Sequence, residues 1–165
     1  MTSHSNMAAS DKTSTSGTAA TGPLERLRRV SKEDVCFKIL PALGGVSYQL
    51  FSAHIMNPNC FRDLFDDHHV VVANSLWFQS HIGVGLYMFG SKHLQQVSVQ
   101  RRILYSVFGS FLFNFGSVLF WATCKSLLFP QPVVRTIFGL GSGFVLLFIG
   151  REYVEYIDAR LSKAS

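Results

Sequence analysis

The chain has 165 residues, room for one domain. Hydrophobic residues make up 48% of it and Asp, Glu, Lys and Arg only 15%, where a soluble domain carries about a quarter, which argues against an ordinary soluble enzyme. The formal net charge is +5. The basic residues flank apolar runs rather than interleave with aromatics on a polar surface, so nucleic acid is not the expected partner.

Residues 1–22 are rich in Ser, Thr, Ala and Gly and nearly free of large apolar side chains. Such a segment buries too little to offset its ordering entropy. It reads as a disordered tail, or as a mitochondrial transit peptide, which is also Ser-rich and poor in acids. Arg is absent until Arg26, and the Arg26, Arg28, Arg29 cluster before Val30 would mark a processing site. Residues 23–38 form a basic juxtamembrane segment whose Lys and Arg suit lipid headgroups.

From there the charges thin out. No Asp, Glu, Lys or Arg occurs from Ile39 to Phe61, His68 to Ser91, Ile103 to Cys124 or Thr136 to Gly150. A helix needs about 20 apolar residues to cross the hydrocarbon core. The runs predict four transmembrane helices, near 37–55, 70–91, 103–127 and 133–153. The second and third are long enough alone; the fourth needs Arg135 and Arg151 to reach the two interfaces. Pro41 falls in the first turn of the first helix, where a missing N–H costs little. FGSFLFNFGSVLFWATC does not alternate as a barrel strand does. Residues 39–161 thus form an all-α, polytopic bundle, and REYVEYIDARL carries the fourth helix about two turns past the membrane, with Arg151 and Glu155 spaced i,i+4.

Orientation follows from the flanks. With four spans, one side holds Arg26, Arg28, Arg29, Lys32, Lys38, Lys92, Arg101, Arg102, Arg151, Arg160 and Lys163. The other holds Arg62, Lys125 and Arg135. Positive-inside bias gives an N-in, C-in topology. Trp77 and Trp121 fall toward the less basic interface, Tyr87, Tyr105 and Tyr153 toward the basic one.

Polar residues within a span are functional candidates by default. Here they are His54, Gln79, His81, Asn114 and Ser117, with Asn74 and Ser80 beside them. Haem ligation by His54 and His81 fails on depth, since the two differ by about 15 Å along the bundle. Interhelical hydrogen bonds among His54, Gln79, His81 and Asn114 are the simpler expectation, with His81 meeting Asn114 or a neighbouring carbonyl. A ligand or proton pathway stays open beside it. Asp63, Asp66, Asp67, His68 and His69 are metal-ligating types without helical ligand spacing, and read as a solvated connection. Cys36, Cys60 and Cys124 show no metal spacing and read as free, mostly buried thiols. Gly83, Gly109, Gly139 and Gly143 read as helix-packing positions, with Gly116 sharing a face with Gly109. GLGSG lacks the endings of a phosphate loop. No nucleophile, base and orienting group come in a set, so the residues point to no catalytic site and no cofactor.

The strings SAHIM around His54, VVANSLWFQSHIGVGL around His81 and GSFLFNFGSVLFWATC around Gly116 and Ser117 occur in a fixed order. Together they resemble the small four-helix membrane family of unknown function that includes transmembrane protein 256 and bacterial inner-membrane relatives. The resemblance covers about residues 40–150. It implies that His54, His81, Gly116 and Ser117 occupy the family's motif positions. Ser52 stands where the family has Gly, Asn114-Phe115 where it has a single Ser, and Ile137-Phe138 where a Pro-containing turn is usual. The family brings no enzymatic activity to carry over. It implies a multi-pass protein of the mitochondrial inner membrane or another cellular membrane. The expected function is therefore a structural or accessory component of a membrane complex, with the lipid bilayer and other membrane subunits as partners. A small transporter or channel using His81 and Asn114 is the alternative.

Overall fold

The computed structural model describes residues 34–127 and 130–164. The tail 1–22 and most of the basic segment 23–38 lie outside the described residues. Among these residues the fold is all-helical. A π-helical turn, Val35–Ile39, runs without a break into α1, Leu40–Met56. Pro41 sits in the first turn of α1, as expected. At the far end Asn57 leaves helical geometry at φ −140°, as a residue before proline does. Pro58 opens α2, Pro58–Phe65, and the Asn57 side chain caps it by accepting from the Cys60 N–H at 3.4 Å.

The connection 57–69 is thus a short helix rather than an open loop. Asp66, at φ 44°, turns the chain into a 3-10 turn, Asp66–His68, and the His69 ring donates from Nδ1 to the Asp66 carbonyl at 2.5 Å. Then come α3, His69–Gly90, the single turn α4, Lys92–Gln95, and α5, Val99–Leu127. Pro132 opens α6, which runs to Ala164. The Arg151–Glu155 ion pair forms on it at 2.6 Å.

Two of these helices, α5 and α6, are long and apolar enough to cross a membrane. The sequence also counts α3 as sufficient unaided. Its 22 residues include Asn74, Gln79, Ser80 and His81, which dilute its apolar content.

Packing is organised on α1. It lies closely against α3 and α6, and α5 packs on α3. The closest approach is Gly44 against Gly83, where a Cβ added to either would stand 2.5 Å from the other's Cα. Consecutive helices α5 and α6 touch little. Between them, α1 and α3 lies a mostly apolar cavity of about 740 Å³, reached at the end that carries Lys38, His93 and Arg151.

Burial runs opposite to that of a water-soluble bundle. The interior holds Ser47, Gln49, Ser52, Ser80, Ser106, Ser110, Asn114 and Ser117 around a compact aromatic and thioether group of Tyr48, Met56 and Trp121. The outside carries large apolar side chains, Val46 and Leu50 on α1, Phe78 and Ile82 on α3, Phe108 and Leu112 on α5, Phe144 and Phe148 on α6. Phe108 and Phe144 are each 65% exposed, whereas Ser52 and Ser80 are 0%. Small polar residues allow close approach and satisfy one another between helices. An apolar exterior on every long helix would be costly in water.

Trp121 departs from the sequence reading. It is fully buried, stacked near Tyr48 at 5.0 Å, and its indole N–H donates to the Ser142 hydroxyl at 3.1 Å. It is an internal strut between α5 and α6 rather than an interfacial anchor. Tyr105 and Tyr153 are exposed, as an interfacial role requires. The thiols depart too. All three are free, but only Cys124 is buried, while Cys36 and Cys60 lie on turns at opposite ends of α1 and are exposed.

Candidate functional site

The polar side chains within the helices form three groups. The first joins α3 to α5. The Ser80 hydroxyl donates to Asn114 Oδ1 at 2.5 Å, and Asn114 Nδ2 donates to the Ser110 carbonyl at 2.9 Å. The Ser110 hydroxyl in turn donates to the His81 carbonyl at 2.6 Å. Asn114 is therefore satisfied from both its oxygen and its nitrogen.

This corrects the expected His81–Asn114 pair. Neighbours on a helix diverge by about 100°, so Ser80 and His81 cannot both face Asn114. Ser80 faces it. The His81 ring instead donates from Nδ1 to the Trp77 carbonyl of its own helix at 2.8 Å. It is walled by Trp77, Phe111 and Phe115, with ring centroids 4.3, 4.8 and 6.0 Å away. Its Nε2 is buried and makes no hydrogen bond.

The second group joins α1 to α5 and α6. The Tyr48 hydroxyl donates to the Ser117 hydroxyl at 2.7 Å, and Ser117 donates to the Phe113 carbonyl at 2.7 Å. Gln49 lies against Gly143 on α6. With its amide turned to suit its surroundings, it donates to the Leu140 carbonyl at 3.2 Å and accepts from the Phe144 N–H at 2.8 Å. Ser117 was expected; Tyr48 and Gln49 were not, because nothing in an all-apolar run marks which polar residue faces inward.

The third group lies outside the spans, at the basic end. Asp158 of α6 accepts from the N–H groups of Lys92 and His93 at 3.0 and 2.8 Å and from His93 Nδ1 at 2.7 Å. Partial burial pushes the Asp158 carboxyl up, but the two backbone N–H groups and the imidazole outweigh it and hold the carboxyl below its ordinary range. This latch ties the α3–α5 connection to the end of α6. Beside it Arg102 donates to the Phe89 carbonyl at 2.7 Å and covers the Phe89 ring, closing the end of α3.

The other expected positions are scattered. His54 sits at the last turn of α1, edge-on to Phe61 at 4.8 Å, and its Nδ1 is buried without a hydrogen bond. It joins no interhelical network, being separated from His81 by the depth that argued against haem. Gln79 is exposed, so it does not belong to an internal network either. Among the packing glycines, Gly83 meets Gly44, Gly109 meets the Met88 side chain, Gly139 meets Met56 and Gly143 meets Gln49. Gly116 is exposed and has nothing near it within 4 Å, so it does not share the role of Gly109.

No group of three His, Cys, Asp or Glu side chains comes together among the described residues. What the arrangement does chemically is hold helices: each internal hydroxyl or carboxamide joins two elements or returns to its own backbone. The class this defines is an all-helical protein with a small-polar interior and an apolar exterior. No family model, curated protein or solved structure matches the chain.

Proposed function

We propose that the chain is a multi-pass membrane protein in which α1, α3, α5 and α6 all cross the bilayer, with both termini on the basic side. The inverted burial carries this reading: all four helices turn Phe, Leu, Val and Ile outward and keep Ser, Asn and Tyr between them. The π-helical turn and α1 add 5 and 17 residues in one run, and α3 has 22. At 1.5 Å per residue each reaches about 33 Å, enough to span.

Within that membrane the protein serves as a structural or accessory component of a larger complex, in the mitochondrial inner membrane, without catalysis and without a cofactor. The internal polar groups support this because they are engaged in holding helices together. The likeness of the His54, His81 and Gly116-Ser117 strings to the small four-helix family supports the membrane but names no reaction. Carbonate extraction of native membranes, organelle fractionation and native electrophoresis after mild solubilisation test it together. The protein is expected to resist extraction, to fractionate with inner mitochondrial membranes and to migrate in an assembly larger than itself. Migration only as a small free species contradicts the accessory role.

The unpaired, buried His81 Nε2 favours a second reading, a proton or solute pathway. Against it, His81 is packed among aromatic rings, and neither His81 nor Asn114 lines the cavity. A reconstituted flux assay separates the two readings.

A further inference from the structure

One face of α3 does not fit a helix surrounded by lipid. Val71, Asn74, Ser75, Phe78, Gln79 and Ile82 follow one another at spacings of one, three and four residues, and all are exposed. Ser75 returns its hydroxyl to the Val71 carbonyl at 2.8 Å. The carboxamides of Asn74 and Gln79 have no hydrogen-bond partner among the described residues. Each offers two N–H donors and a carbonyl acceptor. The other carboxamides within the long helices, Gln49 and Asn114, are buried and engaged by neighbouring helices.

Gln79 is the eleventh residue of the 22 in α3, about 15 Å from either end. The argument rests on the reading that α3 crosses the bilayer. An outward Gln79 then lies near mid-membrane, where no water is present to satisfy it and polar side chains face protein. The face therefore calls for a protein neighbour with hydrogen-bonding groups at matching depth.

We infer that this neighbour is the same face of a second copy, and that α3 pairs with α3 about a twofold axis along the membrane normal. Two copies inserted with the same orientation bring Gln79 to Gln79, and Asn74 to Asn74, at equal depth. A carboxamide is its own complement: the N–H of each donates to the C=O of the other, so an isologous contact satisfies both sides. The face carries no Asp, Glu, Lys or Arg that would demand an oppositely charged partner. Val71, Phe78 and Ile82 supply the flanking apolar contact, as Asn and Gln do at interhelical hydrogen bonds between membrane helices.

The full chain, with Cys36, Cys60 and Cys124 changed to Ser, is embedded in phosphatidylcholine vesicles and oxidised with copper phenanthroline after Gln79→Cys. A disulfide-linked dimer is expected, with a comparable yield for Ser75→Cys and at least tenfold less for Phe108→Cys on α5 or Phe144→Cys on α6. Equal linking from the α5 or α6 faces, or none at position 79, overturns the pairing. In the otherwise unaltered chain, Gln79→Leu combined with Asn74→Leu is expected to weaken dimerisation at least tenfold by energy transfer between labelled copies. The same double change should leave the thermal melt of the monomer in place, since the face is outward. Unchanged dimerisation overturns the proposal, as does a different protein linked to position 79 in native membranes. A membrane-impermeant maleimide separates the two levels of the argument. If Gln79→Cys reacts with it readily, α3 is not in the bilayer and the four-span reading fails with the pairing. If Gln79→Cys is shielded yet forms no link, the pairing alone fails.

Discussion

Gly44 and Gly83 meet backbone to backbone, with Cα–Cβ separations of 2.5 Å for a methyl placed on either. Neither neighbour is a flexible side-chain end, so the helices themselves must separate to admit one. Gly44→Ala and Gly83→Ala are each expected to lower stability by about 1–3 kcal/mol, the usual range for overpacking, and to combine less than additively because either one already opens the crossing. Gly116→Ala is the matched control, since nothing stands within 4 Å of that site; its effect should stay within about 0.5 kcal/mol. Thermal melts in detergent distinguish the two cases. A neutral Gly83→Ala would mean that α1 and α3 do not cross here.

The Ser80–Asn114 hydrogen bond gives a double-mutant cycle. Ser80→Ala and Asn114→Ala should be coupled by about 0.6 kcal/mol, with an upper range near 1.7, as measured for interhelical bonds in membranes. His81→Leu and Asn114→Ala should be closer to additive, because His81 bonds the Trp77 carbonyl instead. Coupling of Asn114 to His81 but not to Ser80 would reverse the assignment of the two neighbours.

How much of this was readable from the chain depends on what each feature needs. The helices were, because the charge-free runs from Ile39, His68, Ile103 and Thr136 leave no other way to satisfy the backbone in an apolar setting. Gly83, Gly139 and Gly143 were readable as packing sites by residue type. The rotational phase of each helix was not. A helix that is apolar all round carries no polar stripe to say which side is out, so Ser80 and His81 are indistinguishable until α5 is set beside them. The same lack of a stripe hides Gly44 as the partner of Gly83. It also makes Trp121, a core strut, look like an interfacial anchor. His93 and Asp158 are 65 positions apart in polar flanks, and only the folded chain brings them together.

The Asp158 latch has a defined pH dependence. Its carboxyl is held below the ordinary range in the fold, so the unfolded chain takes up a proton first as pH falls. The latch's contribution is then fully present above the unfolded value, near pH 4, and is lost as pH falls through the lower folded value. Asp158→Asn should cost about 1–2 kcal/mol at neutral pH, from hydrogen bonds to a partly exposed charged group. It should also flatten the loss of stability below about pH 4. Melting temperature followed from pH 7 to pH 3 checks both. Parallel acid limbs in the two proteins would show that the latch does not report on folding.

Topology is the central claim, and the chain carries its own reporters. Cys36 and Cys60 are exposed and lie at the two ends of α1, while Cys124 is buried. Four spans place Cys60 on the less basic side and Cys36 on the side of both termini. Two spans, α5 and α6 alone, leave both thiols on one side. The most direct measurement is labelling of the native thiols by a membrane-impermeant maleimide in sealed vesicles of the two orientations, with Cys36→Ser and Cys60→Ser variants to assign each signal. The four-helix account requires Cys60 to label only from the less basic face and Cys36 only from the other. Labelling of both from the same face contradicts it.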